Sequence, residues 1–408
     1  MLGGHRTTRF GFRTDLHRPD DGEDADRVGY MELFFDLVFV YAITALTQLL
    51  VHEQTWHRLL ATVLLGTAIW WTWISTGWVT NWLDPNRGPV RGLLISLMAA
   101  SLVLSGTIGD VLHGGGAAFA ITLVVMNLGR PLFALLALWQ NRRDDAANFV
   151  NLTLWVVASA PVWVIGAFTA EPLLWWTLAV VVDLLGPAML YAVPGLGHTQ
   201  YHAWKIRGAH LAERVSLFVL IALGESIALI GEHIAEALPD PLALVSLTAA
   251  FAHTVLLWFL YFDRSESLGS RRIRGADQTG AIARNTYSYT AALLVFGIVL
   301  SAGATDIAFE QAVEASTPLW TAGLLIGANV VCLSANLLFR LSLSNAPFRS
   351  HVPAVLVSLA LIPLHGVVSP LAMEWALVLV LGVVVVADAV SARRRDTDEG
   401  NRGRPVGL

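Results

Sequence analysis

The chain has 408 residues, of which 55% are hydrophobic and 14% charged, with a formal net charge of −5 and a mean hydropathy of +0.60. Soluble proteins are about 25% charged, so a set of soluble domains is excluded and a polytopic membrane protein is expected. The one cysteine, Cys332, excludes an intrachain disulfide and a cysteine-based metal cluster.

Residues 1–29 mix Arg6, Arg9, Arg13, Arg18 and Arg27 with acids such as Asp15, Asp20 and Glu23. No short apolar run with a small-residue cleavage site follows, so the segment reads as a solvated cytoplasmic tail and not as a signal peptide. Apolar runs near the ~20 residues that a helix needs to cross a bilayer then recur. They predict an all-α integral membrane protein with about twelve transmembrane helices, at 32–51, 58–80, 90–111, 116–138, 149–168, 173–193, 211–231, 241–262, 286–304, 318–339, 351–367 and 373–391. The runs are continuously apolar, whereas barrel strands alternate.

Basic residues set the expected orientation. Alternate connections collect every Lys and Arg of the 26 except Arg58 and Arg130. By the positive-inside rule both termini are cytoplasmic and the number of crossings is even. Several tryptophans, among them Trp56, Trp78, Trp82, Trp139 and Trp375, fall near segment ends, as in interfacial belts.

A degenerate internal repeat is visible. LVLSGTIGD (102–110) ends the third span and IVLSAGATD (298–306) ends the ninth. Glu32 opens span one and Glu213 opens span seven. The spacing implies two parallel six-helix repeats, at 30–195 and 210–391, joined by a cytoplasmic linker at 196–209 and followed by a cytoplasmic tail at 392–408. The arginines of 263–285 read as topological signal and lipid headgroup contact, not as a nucleic-acid site.

Span one carries the sharpest anomaly, two carboxylates inside an apolar helix. At 100° per residue Glu32, Asp36, Thr44 and Thr47 share one polar stripe, which turns toward other helices. The stripe is either a cation or proton site, or an interfacial Glu32 with Asp36 helping to cap the helix start. Arg130 lies about 12 Å of helix from the nearer membrane face at ~1.5 Å per residue, too deep to snorkel completely. A buried guanidinium needs a carboxylate, and Asp183 and Glu225 are the natural candidates. Glu225, flanked by Gly224 and Ser226, is also a candidate proton relay. His253 reads as a helix–helix hydrogen-bonding residue that could also serve the site. Asp263 and Asp388 read as interfacial salt partners, and Asp110 and Asp306 as solvated ends of spans.

The stretch Glu32-Leu33-Phe34-Phe35-Asp36-Leu37-Val38-Phe39-Val40-Tyr41-Ala42-Ile43-Thr44 resembles the signature of the bacterial low temperature requirement protein A family. Trp71-Thr72-Trp73, Thr80-Asn81-Trp82-Leu83-Asp84-Pro85, His210-Leu211-Ala212-Glu213-Arg214, Leu223-Gly224-Glu225-Ser226 and Phe259-Leu260-Tyr261-Phe262-Asp263 fit it in order. The resemblance implies a multi-spanning bacterial membrane protein, named for growth in the cold, without an assigned activity. The first stretch is also similar to helix one of potassium channels built from six-helix repeats. Phe35 there replaces a serine, and Ser216-Leu217 stand where a second Asp is wanted.

Three functions follow as expectations: a permease with a charged site between the repeats, a cation channel, or a non-transporting membrane protein that supports growth in the cold. The first assigns Glu32, Asp36, Arg130, Asp183, Glu213, Glu225 and His253 to a site for a small ion or polar solute. It also expects Asp36→Asn and Arg130→Ala to abolish function but not insertion. No phosphate-loop, nucleophile-elbow or HExxH pattern occurs, so neither an enzyme nor a cofactor is expected. The bilayer of the bacterial inner membrane is the expected partner.

Overall fold

The computed structural model describes residues 16–18, 28–139, 143–199, 206–263, 265–274, 279–343 and 350–402. Most of the expected N-terminal tail, part of the linker at 196–209 and the last residues of the C-terminal tail lie outside this set. Among the described residues there is no β-strand, and two isolated bridges join His17 to Leu83 and Val193 to Gly197. An all-helical solution fits a lipid environment, because a helix satisfies its backbone polar groups within its own segment.

In chain order the helices are α1 (Tyr30–His52), α2 (Trp56–Trp82), α3 (Gly88–Gly106), α4 (Gly116–Trp139), α5 (Arg143–Gly166), α6 (Pro172–Ala188), α7 (Gly208–Ala237), α8 (Pro241–Phe262) and α9 (Ser265–Arg274). Then come α10 (Thr279–Ile282), a π-helical stretch (Ala283–Thr290), α11 (Ala291–Glu310), α12 (Leu319–Leu343), α13 (His351–Ala360) and α14 (Pro370–Arg402). Ten helices among the described residues are long and apolar enough to cross a membrane, whereas Pro172–Ala188 and His351–Leu364 are shorter. Helix α14 runs on to Arg402, past the expected end of the last span at 391.

The chain divides into two compact units. The first comprises residues 1–222 and 269–292, the second 223–268 and 293–408. Helix α2 is the spine of the first unit. Thr55 caps it, its hydroxyl accepting from the Arg58 N–H at 3.2 Å. Thr72, Thr76 and Thr80, one every four residues, form a buried polar stripe along one face. The indoles of Trp70, Trp73 and Trp78 all donate hydrogen bonds.

Residues 16–18 pack on the end of α2, which corrects their reading as solvated tail. Leu16 is buried. The Arg18 N–H donates to Trp82 O at 2.9 Å, and the Asp84 N–H donates to Leu16 O at 2.9 Å.

Helix α6 stops earlier than the span expected to reach 193. Leu190 (φ 54°) and Tyr191 (φ 50°) both sit in the left-handed region, which costs non-glycine residues roughly 1–3 kcal/mol each. A tight turn holds them there. The Tyr191 N–H donates to Gly186 O at 2.7 Å and the Thr199 N–H to Leu190 O at 2.9 Å. Gly195 and Gly197 take the positive φ angles that let the turn close. A second irregularity is the π-helical stretch, in which Ser288 Oγ donates to Ala283 O and Thr290 Oγ1 to Asn285 O, five residues back. π-Helical turns are rare and often accompany functional sites.

The second unit has its own polar core. The Arg340 guanidinium pairs with Asp388 and donates to Ser265 Oγ at 2.8 Å and to Leu260 O at 3.2 Å. Asn336 Nδ2 donates to the same Leu260 O and Ser265 Oγ, each at 3.0 Å. Its Oδ1 therefore faces His351, whose Nε2–H donates to it at 3.1 Å. Asp388 is a salt partner, as expected, but the arginine beside it is a buried helix residue and not part of a connection.

Candidate functional site

Two polar constellations occupy the first unit, both built on α2. The first joins α1 to the start of α7. Asp36 accepts from the Trp73 indole N–H at 2.7 Å and from the Arg214 guanidinium, whose Nε stands 3.3 Å from Asp36 Oδ2. Arg214 also donates to Thr80 Oγ1 at 3.0 Å and lies over the rings of Phe35 and Trp73, 5.9 Å and 5.4 Å from their centres. Each of its three guanidinium nitrogens has a hydrogen-bond partner.

Glu32 completes this network. Its Oε2 accepts from the Gly29 N–H at 3.2 Å, which anchors the start of α1. The same oxygen meets His210 Nε2 at 3.0 Å and Arg18 at 3.5 Å, while Arg214 stands 3.8 Å from Oε1. The protonation of His210 follows from its neighbour Asn81. The Arg207 N–H donates to Asn81 Oδ1 at 2.7 Å, so the Asn81 amide group faces Arg207 O and His210 Nδ1. Nδ1 then accepts from Asn81, and Nε2 lies 3.0 Å from both Glu32 Oε2 and Arg18 Nη1. With a neutral His210, two carboxylates face two guanidiniums and the cluster is electrically balanced. Burial lowers the Arg18 pKa from its ordinary value, and the Glu32 charge opposes that shift.

The second constellation is a cavity of about 80 Å3 among α2, α4, α5, α6, the 189–199 turn and the π-helical stretch. That is room for about five waters. Arg130 forms one wall and is 2% exposed. Its guanidinium donates to Thr72 O, to Thr76 Oγ1 at 2.8 Å and to Asn127 Oδ1. All three acceptors are neutral. Among the described residues no carboxylate stands within ion-pair distance of Arg130, and its buried Nε has no hydrogen-bond partner.

Asp183, half-buried, lines the same cavity. It accepts from the Trp163 indole N–H at 2.9 Å and has no ion-pair partner among the described residues. Arg284 lines the cavity from the π-helical stretch and donates to Pro187 O at 2.9 Å. Trp71, Trp78, Trp155 and Tyr191 supply aromatic walls. Two helix prolines border the space, Pro131 in α4 and Pro187 in α6. A proline has no N–H to donate four residues back, so the main-chain carbonyls of Asn127 and Asp183 lose their helical donors.

The sequence-derived site residues therefore part company. Arg130 and Asp183 share the cavity, but they do not form the direct ion pair expected of them. Glu32 and Asp36 belong to the balanced network. Glu213, one residue before Arg214, is exposed. Glu225 is buried in the second unit; the partners of Arg130 all lie in the first. His253 behaves as a hydrogen-bonding core residue, 2.9 Å from Ser301 Oγ. Asp110 is exposed as expected, whereas Asp306 is buried and meets His233 at 2.7 Å. Glu374, near the start of α14, is fully buried, and its carboxylate oxygens have no hydrogen-bond partner among the described residues.

Sequence reasoning missed Arg18 and Arg214, because arginines near segment ends were read as orientation signals, and it took His210 only as part of a family motif. It also missed Thr72, Thr76 and Asn127. The spacing of four between the threonines, and of three between Asn127 and Arg130, was the available signal.

Comparison with known proteins shows what the chain is similar to. The family model described as bacterial low temperature requirement A protein matches residues 27–386. The chain is also 31% identical over 375 residues to the uncharacterized protein RA0937 of Rhizobium meliloti (strain 1021), covering 91% of this chain and 90% of that protein. No solved structure matches the chain.

Proposed function

The chain belongs to the bacterial low temperature requirement A family, and from that premise we propose that this multi-pass membrane protein is a permease. Its solute site is the cavity of the first unit. The observation that supports this reading is a buried guanidinium, Arg130, and a carboxylate, Asp183, on the walls of a common space that Arg284 also lines, with no ion pair between Arg130 and Asp183. Charges in a membrane protein interior are costly and mark solute or ion pathways. Two strained left-handed residues, Leu190 and Tyr191, and a π-helical stretch shape the same space.

On this reading the arginine-rich connections face the cytoplasm, both ends of the chain lie there, and the host is the bacterial inner membrane. Twelve crossings arranged as two six-helix repeats further require Pro172–Ala188 and His351–Leu364 to cross as short helices. The solute moves without chemical conversion. The balanced pairing of Asp36 with Arg214 speaks against a cation channel lined by Asp36, since the carboxylate is already neutralised.

Filling the cavity tests the proposal. Ser75 lines it, and Ser75→Phe should abolish rescue of low-temperature growth in a deletion strain while leaving the membrane level of the protein unchanged. Full rescue by a normally inserted Ser75→Phe protein would remove the cavity from the function.

A further inference from the structure

The charges in the cavity also define what it holds. We infer that the ligand is a small zwitterion with an apolar body, an α-amino acid, whose carboxylate meets Arg130 and whose ammonium meets Asp183; this rests on the proposed role of the cavity as a solute site.

Three observations converge on that class. First, Arg130 lines the cavity with a guanidinium that Thr72, Thr76 and Asn127 hold in place and no carboxylate neutralises. A guanidinium edge is suited to a carboxylate, which it can hold by two parallel hydrogen bonds. Second, Asp183 offers the opposite charge on the same cavity without an ion pair. The two groups line one space without a direct ion pair between them, so a ligand with both charges satisfies both. Third, Pro131 and Pro187 free the carbonyls of Asn127 and Asp183, the acceptor groups that an ammonium uses. The indoles of Trp71, Trp78 and Trp155 would cover the ligand's apolar body.

The alternatives make different demands. A simple anion places a like charge beside Asp183, and a simple cation leaves Arg130 unpaired; Arg284, the other cation on the cavity wall, donates to Pro187 O. Leaving a buried polar group without its partner is what lets such a site reject an analogue.

The test uses three molecules of one size: L-valine, isovalerate, which lacks the amino group, and valinamide, which lacks the carboxylate. The full chain in detergent is titrated with each, read by the fluorescence of the cavity tryptophans and by thermal stability. Valine should quench saturably and raise Tm, with isovalerate and valinamide each weaker by about tenfold or more. Asp183→Asn keeps an acceptor for the Trp163 indole; it should cost valine affinity and leave isovalerate binding equal or stronger, an inversion that general loosening of the fold does not produce. Arg130→Lys keeps the charge but not the fork and should weaken valine and isovalerate together; if it fails to fold, the Asp183→Asn inversion decides alone.

Equal or tighter binding of isovalerate by the unaltered chain would overturn the zwitterion in favour of an anion, and so would unchanged valine affinity in Asp183→Asn. Absence of binding by all three would overturn the ligand class as well. Flux into proteoliposomes separates the two readings. Valine binding without valine flux would retain this inference and remove the permease. Flux of another solute that valine does not inhibit would retain the permease and remove this inference.

Discussion

Arg214 and Arg130 are both almost wholly buried, and both hydrogen-bond to threonines of α2. Their surroundings could hardly differ more. Arg214 is matched by the carboxylates of Asp36 and Glu32, with Trp73 and Phe35 covering its plane. Arg130 has three neutral acceptors, an idle Nε and a cavity. A neutralised charge holds helices together, whereas a charge left without its counter-ion beside open space is available to something else. On the proposed function, the distinction separates a structural arginine from a solute-binding one within the first unit.

The largest expected effect breaks the first of the two. Asp36→Asn leaves Arg214 buried against an amide, with Glu32 the remaining carboxylate at 3.8 Å. Removing one partner of a buried pair costs about 3–5 kcal/mol, and the residual Glu32 contact favours the lower end. Thermal unfolding in detergent should show a large fall in Tm and a reduced yield of inserted protein. This replaces the expectation that Asp36→Asn spares insertion. The double substitution Asp36→Leu with Arg214→Met should recover most of the loss, since an apolar pair of similar volume is often as stable as the ions. An unchanged Tm in Asp36→Asn would erase the contrast between the two arginines.

Arg130→Met should act in the opposite proportion. It forfeits three hydrogen bonds to neutral acceptors, but it also removes a buried charge that has no ion pair. Thr76 Oγ1 keeps its bond to Thr72 O at 2.9 Å, and Thr72 Oγ1 its bond to Asn127 Oδ1 at 3.0 Å. The net stability loss should therefore be about 1–2 kcal/mol, with complete loss of cold-growth rescue. Stability and rescue measured on the same preparations sharpen the comparison. A fall in Tm as large as that of Asp36→Asn, or intact rescue, would place Arg130 among the structural residues.

How much of this was legible in the sequence depended on range. Composition and run length are local properties, so the helices, the acids of span one and the depth of Arg130 could all be read. Partners are set by packing, and there the reading failed. Arg214 looks like a connection residue because it lies near the start of an apolar run, yet the helix begins at Gly208 and carries it inward. Arg340 misleads in the same way, being the last charged residue of a helix that buries it against Asp388. The cavity was invisible because its turn depends on left-handed Leu190 and Tyr191, residue types that do not advertise such backbone angles. Glu374 shows the converse: it lies near the start of α14, where an acid is ordinarily solvated, yet its side chain is wholly enclosed.

The smallest expected effect falls between the two extremes in position, and its size is the point. Glu213 directly precedes Arg214 on α7, yet it is exposed while Arg214 is buried. Adjacent helix residues diverge by about 100°, so one turns into the network and the other away from it. Glu213→Ala should change stability by no more than about 0.5 kcal/mol, as for surface positions without special roles, and should leave cold-growth rescue intact. Carboxylate content near α1 and α7 would then be irrelevant in itself, and facing would be decisive. If Glu213→Ala instead destabilised the chain as strongly as Asp36→Asn, the network would have to extend around α7, and the sorting of charges by helical face would fail with it.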